Sequence, residues 1–147
     1  MGPKKMIFLM ICLTLGALSL AACGAPAATI KTPSGSLVIK DVQFTDSFPP
    51  GCSTEPLPLG GCTQAKEGYQ VLIVWLERTD GGDPTAIADE IQSRILETYV
   101  IAGDGFQKNG FAGGLLPSGL AVAFIVPASA QDFKLFWPDN PAIDLEK

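Results

Sequence analysis

"GYQVLIVWLERT", residues 68–79, is the most strand-like stretch of the chain. Tyr69, Val71, Ile73 and Trp75 fall on one face of an extended backbone, and Leu72, Val74 and Leu76 fall on the other. Branched and aromatic side chains suit a pleated surface, where they pack between the side chains of neighbouring strands. Apolar groups on both faces mean that both faces are covered, at least in part. The segment therefore predicts a central strand.

The flanking segments read outward from that strand. A polar turn, "DGGDP", follows it, and then "DPTAIADEIQSRI" breaks the alternation. Asp83 is suited to cap a helix, Pro84 to its first position, and Ile87 and Ile91 stand four apart. A short helix lying against the sheet is expected there. "ETYVIAGDGFQKNG" predicts a hairpin that turns at Gly103-Asp104-Gly105. "LLPSGLAVAFIVP" predicts a turn at Pro117-Ser118-Gly119 and a strand over 120–126 that stops at Pro127. "QDFKLFWP" places Phe133, Leu135 and Trp137 on one face.

On the N-terminal side, "SLVIKDVQF" alternates with Val38, Val42 and Phe44 on the face of Lys40, and Leu37 and Ile39 opposite. Between it and the central strand, "TDSFPPGCSTEPLPLGGCTQAKEG" holds four prolines and four glycines, which predict a long loop without regular elements. The sum is about six or seven short strands with turns every dozen residues or so, and no βαβ alternation. The expected fold is all-β: an antiparallel β-sandwich with a short helix inserted between strands.

The first 23 residues have a different character. Lys4 and Lys5 precede an uncharged run, Met6–Leu20, and small residues follow it. That order is the order of a secretory signal. As a helix the run would rise only ~22 Å, short of a ~30 Å hydrocarbon core, which favours a cleaved leader over a permanent span. Leu20-Ala21-Ala22-Cys23 resembles the lipobox of bacterial lipoproteins. The resemblance implies cleavage before Cys23, a diacylglyceryl group on its thiol, and attachment to the cell membrane or the outer membrane. The expected organisation is a signal peptide over 1–22, a lipidated Cys23 with a flexible tether over 23–35, and a folded domain over 36–147.

Composition narrows the function. Without residues 1–22 the chain has 125 residues, enough for one domain. Lys4 and Lys5 leave with the leader, which takes the net charge from −5 to −7. Acidic balance argues against a nucleic-acid partner. With no histidine, Ser-His-Asp and Cys-His catalytic sets are excluded. Once Cys12 leaves with the leader and Cys23 carries lipid, Cys52 and Cys62 remain. In an exported chain a structural disulfide between them is favoured over two free thiols. Nine intervening residues make it a poor redox pair.

From Ser36 onward the order of segments resembles a bacterial family of unknown function. Its members are immunoglobulin-like domains on lipoproteins and secreted proteins, related to the immunoprotective extracellular antigens. The resemblance is carried by "LVIKDVQF", "GYQVLIVWLER", "YVIAGDGFQ" and "LLPSGLAVAFIVP". It implies an immunoglobulin-like sandwich, and it names no catalytic residue. The Cys52–Cys62 loop and "DPTAIADEIQSRI" stand outside it.

The expected function is a non-enzymatic binding module at the cell envelope, with no cofactor and with a protein or glycan partner. Phe48, Leu57 and Leu59 are the candidate contact residues, because a stapled loop presents apolar groups at small entropic cost. The alternative is a small-ligand or Ca²⁺-binding domain in which Asp80, Asp83 and Asp104 supply oxygen ligands. Turn chemistry and helix capping account for the same aspartates more economically. Trp75 and Trp137 suggest a sugar or peptide platform, against which core packing is the stronger expectation. Asp89 and Glu90 are adjacent and would diverge on a helix, so they do not form a carboxylate pair for acid–base chemistry.

Overall fold

The computed structural model describes residues 28–52 and 61–145. The expected leader, Cys23, Leu57 and Leu59 lie outside the described residues. The chain runs through β1 (Thr29–Thr32), β2 (Gly35–Thr45), β3 (Ser47–Phe48), β4 (Thr63–Gln64) and β5 (Tyr69–Arg78). Helix α1 (Pro84–Ser93) follows, then β6 (Tyr99–Ile101), β7 (Gln107–Asn109) and β8 (Ala112–Leu116). The last strands are β9 (Gly119–Pro127), β10 (Phe133–Phe136) and β11 (Ile143–Leu145).

The fold is all-β, as the alternation predicts, with one short helix. A five-stranded sheet has the order β1-β2-β5-β9-β8, a four-stranded sheet the order β11-β10-β6-β7, and β3 pairs with β4. Every pairing is antiparallel. β5 is the middle strand of the larger sheet, paired with β2 over Val71–Arg78 and with β9 over Tyr69–Leu76.

The two faces of β5 enter different cores. Leu72, Val74 and Leu76 join the main cluster, which takes in Ile30, Leu37, Phe124, Ile87 and Ile91, together with Val100, Phe133 and Leu135 from the other sheet and Trp137 just after β10. Phe44 of β2 meets Phe133 of β10 with ring centroids 5.9 Å apart. Val71 and Ile73 enter a smaller cluster on the outer face with Phe48, Ala121 and Ala123. Both sides of the strand are covered, and that is why its sequence is apolar on both faces.

Local chemistry sets the helix. Asp83, in an extended conformation, accepts from the Thr85 amide through its carboxylate, and Pro84 opens the first turn. Ile87, Ala88 and Ile91 form the buried face. They press on β8 where its sequence is Gly113-Gly114: a Cβ at Gly113 would stand 2.9 Å from Ile91 Cγ2. The glycines let the helix approach the sheet.

Three expectations need correction. The stretch over 24–35 is not a tether throughout, because Thr29–Thr32 pairs with β2 and Ile30 is fully buried. The folded unit thus begins before Ser36. The loop after β2 holds two short paired strands, β3 and β4, beside the disulfide that joins Cys52 to Cys62. In β2 the face assignment fails part-way: Leu37 and Ile39 lie on the same side as Val42 and Phe44, all against the main core. The register explains this, since Ile39 faces Leu76 and Asp41 faces Trp75, leaving Lys40 as one extra residue. A bulge shifts the alternation by one, and a period of two cannot reveal it.

Candidate binding groove

At the C-terminal end of β5, Arg78 gathers three segments. Its Nε donates to Asp80 Oδ1, its Nη1 to the Asp83 carbonyl, and its Nη2 to the Ser34 carbonyl at 2.7 Å. Asp80 also accepts from the backbone amides of Ser36 (3.1 Å) and Gly82 (3.2 Å). The hydrogen bond from Arg78 is the main cause holding the Asp80 carboxyl down at about 2. Asp83 is lowered too, chiefly by the Thr85 amide. Ser34 is held from its other side as well, its amide donating to Glu90 Oε2 at 2.9 Å. The β1–β2 turn, the β5–α1 loop and the helix are thereby fixed to one another.

A groove of about 630 Å³ opens beside this cluster, on the outer side of the larger sheet. It lies within the ~300–1,000 Å³ typical of ligand sites. Trp75 of β5 lines it, half-buried, with its indole N–H bonded to Gln43 Oε1 of β2 at 3.0 Å. That bond crosses adjacent strands and fixes the ring. The bulge brings Lys40 and Asp41 to the same groove, and Glu77 and Arg78 add a carboxylate and a guanidinium. Pro50, next to the disulfide loop, and Pro84, the first residue of the helix, mark two of its borders. At the β8–β9 turn Leu115, Ser118 and Gly119 complete it, and Gly119 leaves open space where a side chain would stand.

The groove differs from the sites expected from sequence. Phe48 is buried, in edge-to-face contact with Phe111 at 5.9 Å, so it packs the outer cluster instead of facing a partner. Asp80 and Asp83 are engaged with Arg78 and the helix cap, whereas Asp104 accepts from the Phe106 amide in the β6–β7 turn. Among the described residues no group of three or more Cys, Asp or Glu side chains is placed to hold a metal ion. The three aspartates do the turn and capping work of their residue type. Trp137 packs in the core at 3 % exposure, as expected, whereas Trp75 is partly buried, packing against the outer cluster and also lining the groove.

Lys40, Asp41, Gln43, Glu77, Arg78 and Leu115 are groove residues that the sequence did not single out. A charged pair inside an otherwise alternating strand, Lys40-Asp41, was the available signal. Comparison with protein-family models, with curated proteins and with solved structures returned no match.

Proposed function

We propose that this chain is an extracytoplasmic lipoprotein, acylated at Cys23, whose immunoglobulin-like domain is a non-enzymatic binding module at the cell envelope. Three sequence features support the anchor: the basic start, the uncharged run and Leu20-Ala21-Ala22-Cys23. Two or more acyl chains would hold such a protein firmly, at about 0.8 kcal/mol for each buried methylene. Because β1 begins at Thr29, the six residues from the anchor span at most ~20 Å. The domain would therefore work close to the bilayer surface.

The observation that carries the binding role is the groove beside Trp75. It is bordered by the two segments that stand outside the family resemblance, the disulfide loop at Pro50 and the helix at Pro84. A half-buried aromatic ring among polar side chains is the usual composition of a recognition surface. The Cys52–Cys62 bond restrains one border of that surface.

Two measurements test the proposal. Mass spectrometry of the native protein should find a chain that starts at Cys23 with acyl mass on that residue. An intact leader without lipid would refute the anchor. Cross-linking in intact cells should capture a partner with the wild type and lose it in a folded Cys52→Ser/Cys62→Ser variant. Unchanged capture would remove the stapled loop from the binding surface.

A further inference from the structure

We infer that the Trp75 groove binds an uncharged oligosaccharide. This rests on the reading of the chain as a binding module and names the ligand of its groove. Trp75 offers an indole whose N–H is already satisfied by Gln43 and whose body packs on the outer cluster, so the ring is held in place where its exposed part lines the groove. Around it stand donors and acceptors: the Lys40 ammonium donates, the Asp41 and Glu77 carboxylates accept, and the Gln43 amide keeps its N–H groups to donate. A pyranose presents that same pairing, with C–H groups on its face and hydroxyls at its rim that each donate and accept.

The alternatives fit less well. Charges in the groove alternate in sign, and Arg78 is paired with Asp80, so no cationic patch remains for a phosphate, sulfate or polyanionic chain. Carboxylates from three chain positions do not converge, which disfavours a metal ion. A peptide strand could not extend the sheet beside Trp75, because β5 and its neighbours β2 and β9 are interior strands whose backbone groups pair on both sides. An amphipathic helix would need a broad apolar floor. The apolar side chains here do not form one: Leu76 and Leu120 are buried, and Trp75, Leu115, Pro50 and Pro84 stand among the charged and amide side chains of the groove. A polyhydroxylated chain uses the polar groups that these partners would leave desolvated and unpaired.

Intrinsic fluorescence of the full lipoprotein, in a detergent without a sugar headgroup, provides the test. The chain has two tryptophans, and Trp137 is shielded in the core, so ligand-induced changes report on Trp75. Maltohexaose, cellohexaose and N-acetylchitohexaose would each be titrated to about 10 mM, tenfold above the 1 mM Kd of a weak site. At least one should saturate, while a sulfated hexasaccharide and a proline-rich peptide should not. Asp41→Asn and Glu77→Gln should each weaken binding by about tenfold, and Trp75→Ala should abolish it.

No saturation with any of the three sugars would overturn the inference. So would tighter binding of the sulfated sugar or the peptide, or unchanged affinity in the two carboxylate variants, which decide the matter if Trp75→Ala fails to fold. The same variants in the cellular cross-linking assay separate the two readings. Lost cross-links without sugar binding would refute the sugar and leave the groove as the contact surface. Unchanged cross-links with no sugar binding would refute both.

Discussion

Arg78 and Asp80 form an ion pair across two residues at the end of β5, and that pair joins parts of the chain that are distant in sequence. Through Arg78 Nη2 it reaches the Ser34 carbonyl, and through Asp80 Oδ2 the Ser36 amide, both in the first hairpin. The turn after β1, the loop before α1 and the rim of the groove thus share one electrostatic knot. Replacing Arg78 would leave Asp80 with its backbone donors alone and the Ser34 and Asp83 carbonyls without this donor.

The pair predicts a specific acid sensitivity. In the unfolded chain Asp80 has the ordinary value of 3.8, and folding lowers it to about 2. Its stabilising contribution is therefore complete above 3.8 and is lost as the pH falls toward 2. Asp83 is shifted in the same direction. Melting temperature measured from pH 5 down to pH 2 should fall more steeply for the wild type than for Asp80→Asn, which has no carboxylate to protonate. Parallel curves would show that the pair adds no pH-linked stability.

The bulge at Lys40 predicts that the position tolerates both substitution and deletion. Lys40 is exposed, so Lys40→Ala should change stability by no more than about 0.5 kcal/mol. Deleting it would restore a strict period of two with Leu37, Ile39, Val42 and Phe44 still on one face, so the main core would keep all four. Circular dichroism should show a cooperative melt for both variants. Loss of the cooperative melt in the deletion would mean that the strand needs the bulge itself and not only the shared face.

What the sequence made legible follows from where the chain is periodic. β5 reads correctly because both its faces are buried and its ten residues contain no interruption. The helix start reads correctly because Asp83 and Pro84 act locally. β1 was missed because one buried side chain, Ile30, lies among prolines, threonines and small residues that describe a linker equally well. β3 and β4, two residues each, carry no period at all. The groove was missed for a different reason. It depends on the bulge, on the open space at Gly119 and on the placement of Pro50 and Pro84, and none of these is a property of a single segment.

Close approach of helix and sheet predicts intolerance at Gly113. A methyl group there would lie 2.9 Å from both the Ala121 carbonyl oxygen and Ile91 Cγ2. Neither neighbour can withdraw easily, since one is backbone and the other is packed in the core. Gly113→Ala should cost about 1–3 kcal/mol, the range for overpacking. Gly61, with nothing among the described residues within 4 Å of an added Cβ, is the internal control, and Gly61→Ala should lie within about 0.5 kcal/mol of the wild type. Urea melts compare the two directly. Equal midpoints would mean that α1 shifts away from β8 at little cost.

Asn140 closes one border of the larger sheet, and its removal should expose that border. β1 is an outermost strand, and such strands present unpaired backbone groups. The Asn140 side-chain amide meets Lys31 in both senses: Oδ1 accepts from its backbone N–H and Nδ2 donates to its carbonyl, each at 2.8 Å. One side chain therefore substitutes for a neighbouring strand at this residue. Asn140→Ala removes both bonds and should cost about 1–2 kcal/mol. Asn140→Asp keeps the acceptor and loses the donor, so its melting temperature should fall between those of the alanine variant and the wild type. Light scattering at rising protein concentration should show self-association in Asn140→Ala first, because the freed edge can pair with another chain. Three superimposable melts would mean that water replaces the amide without loss, and that β1 is held by Ile30 and its pairing with β2 alone.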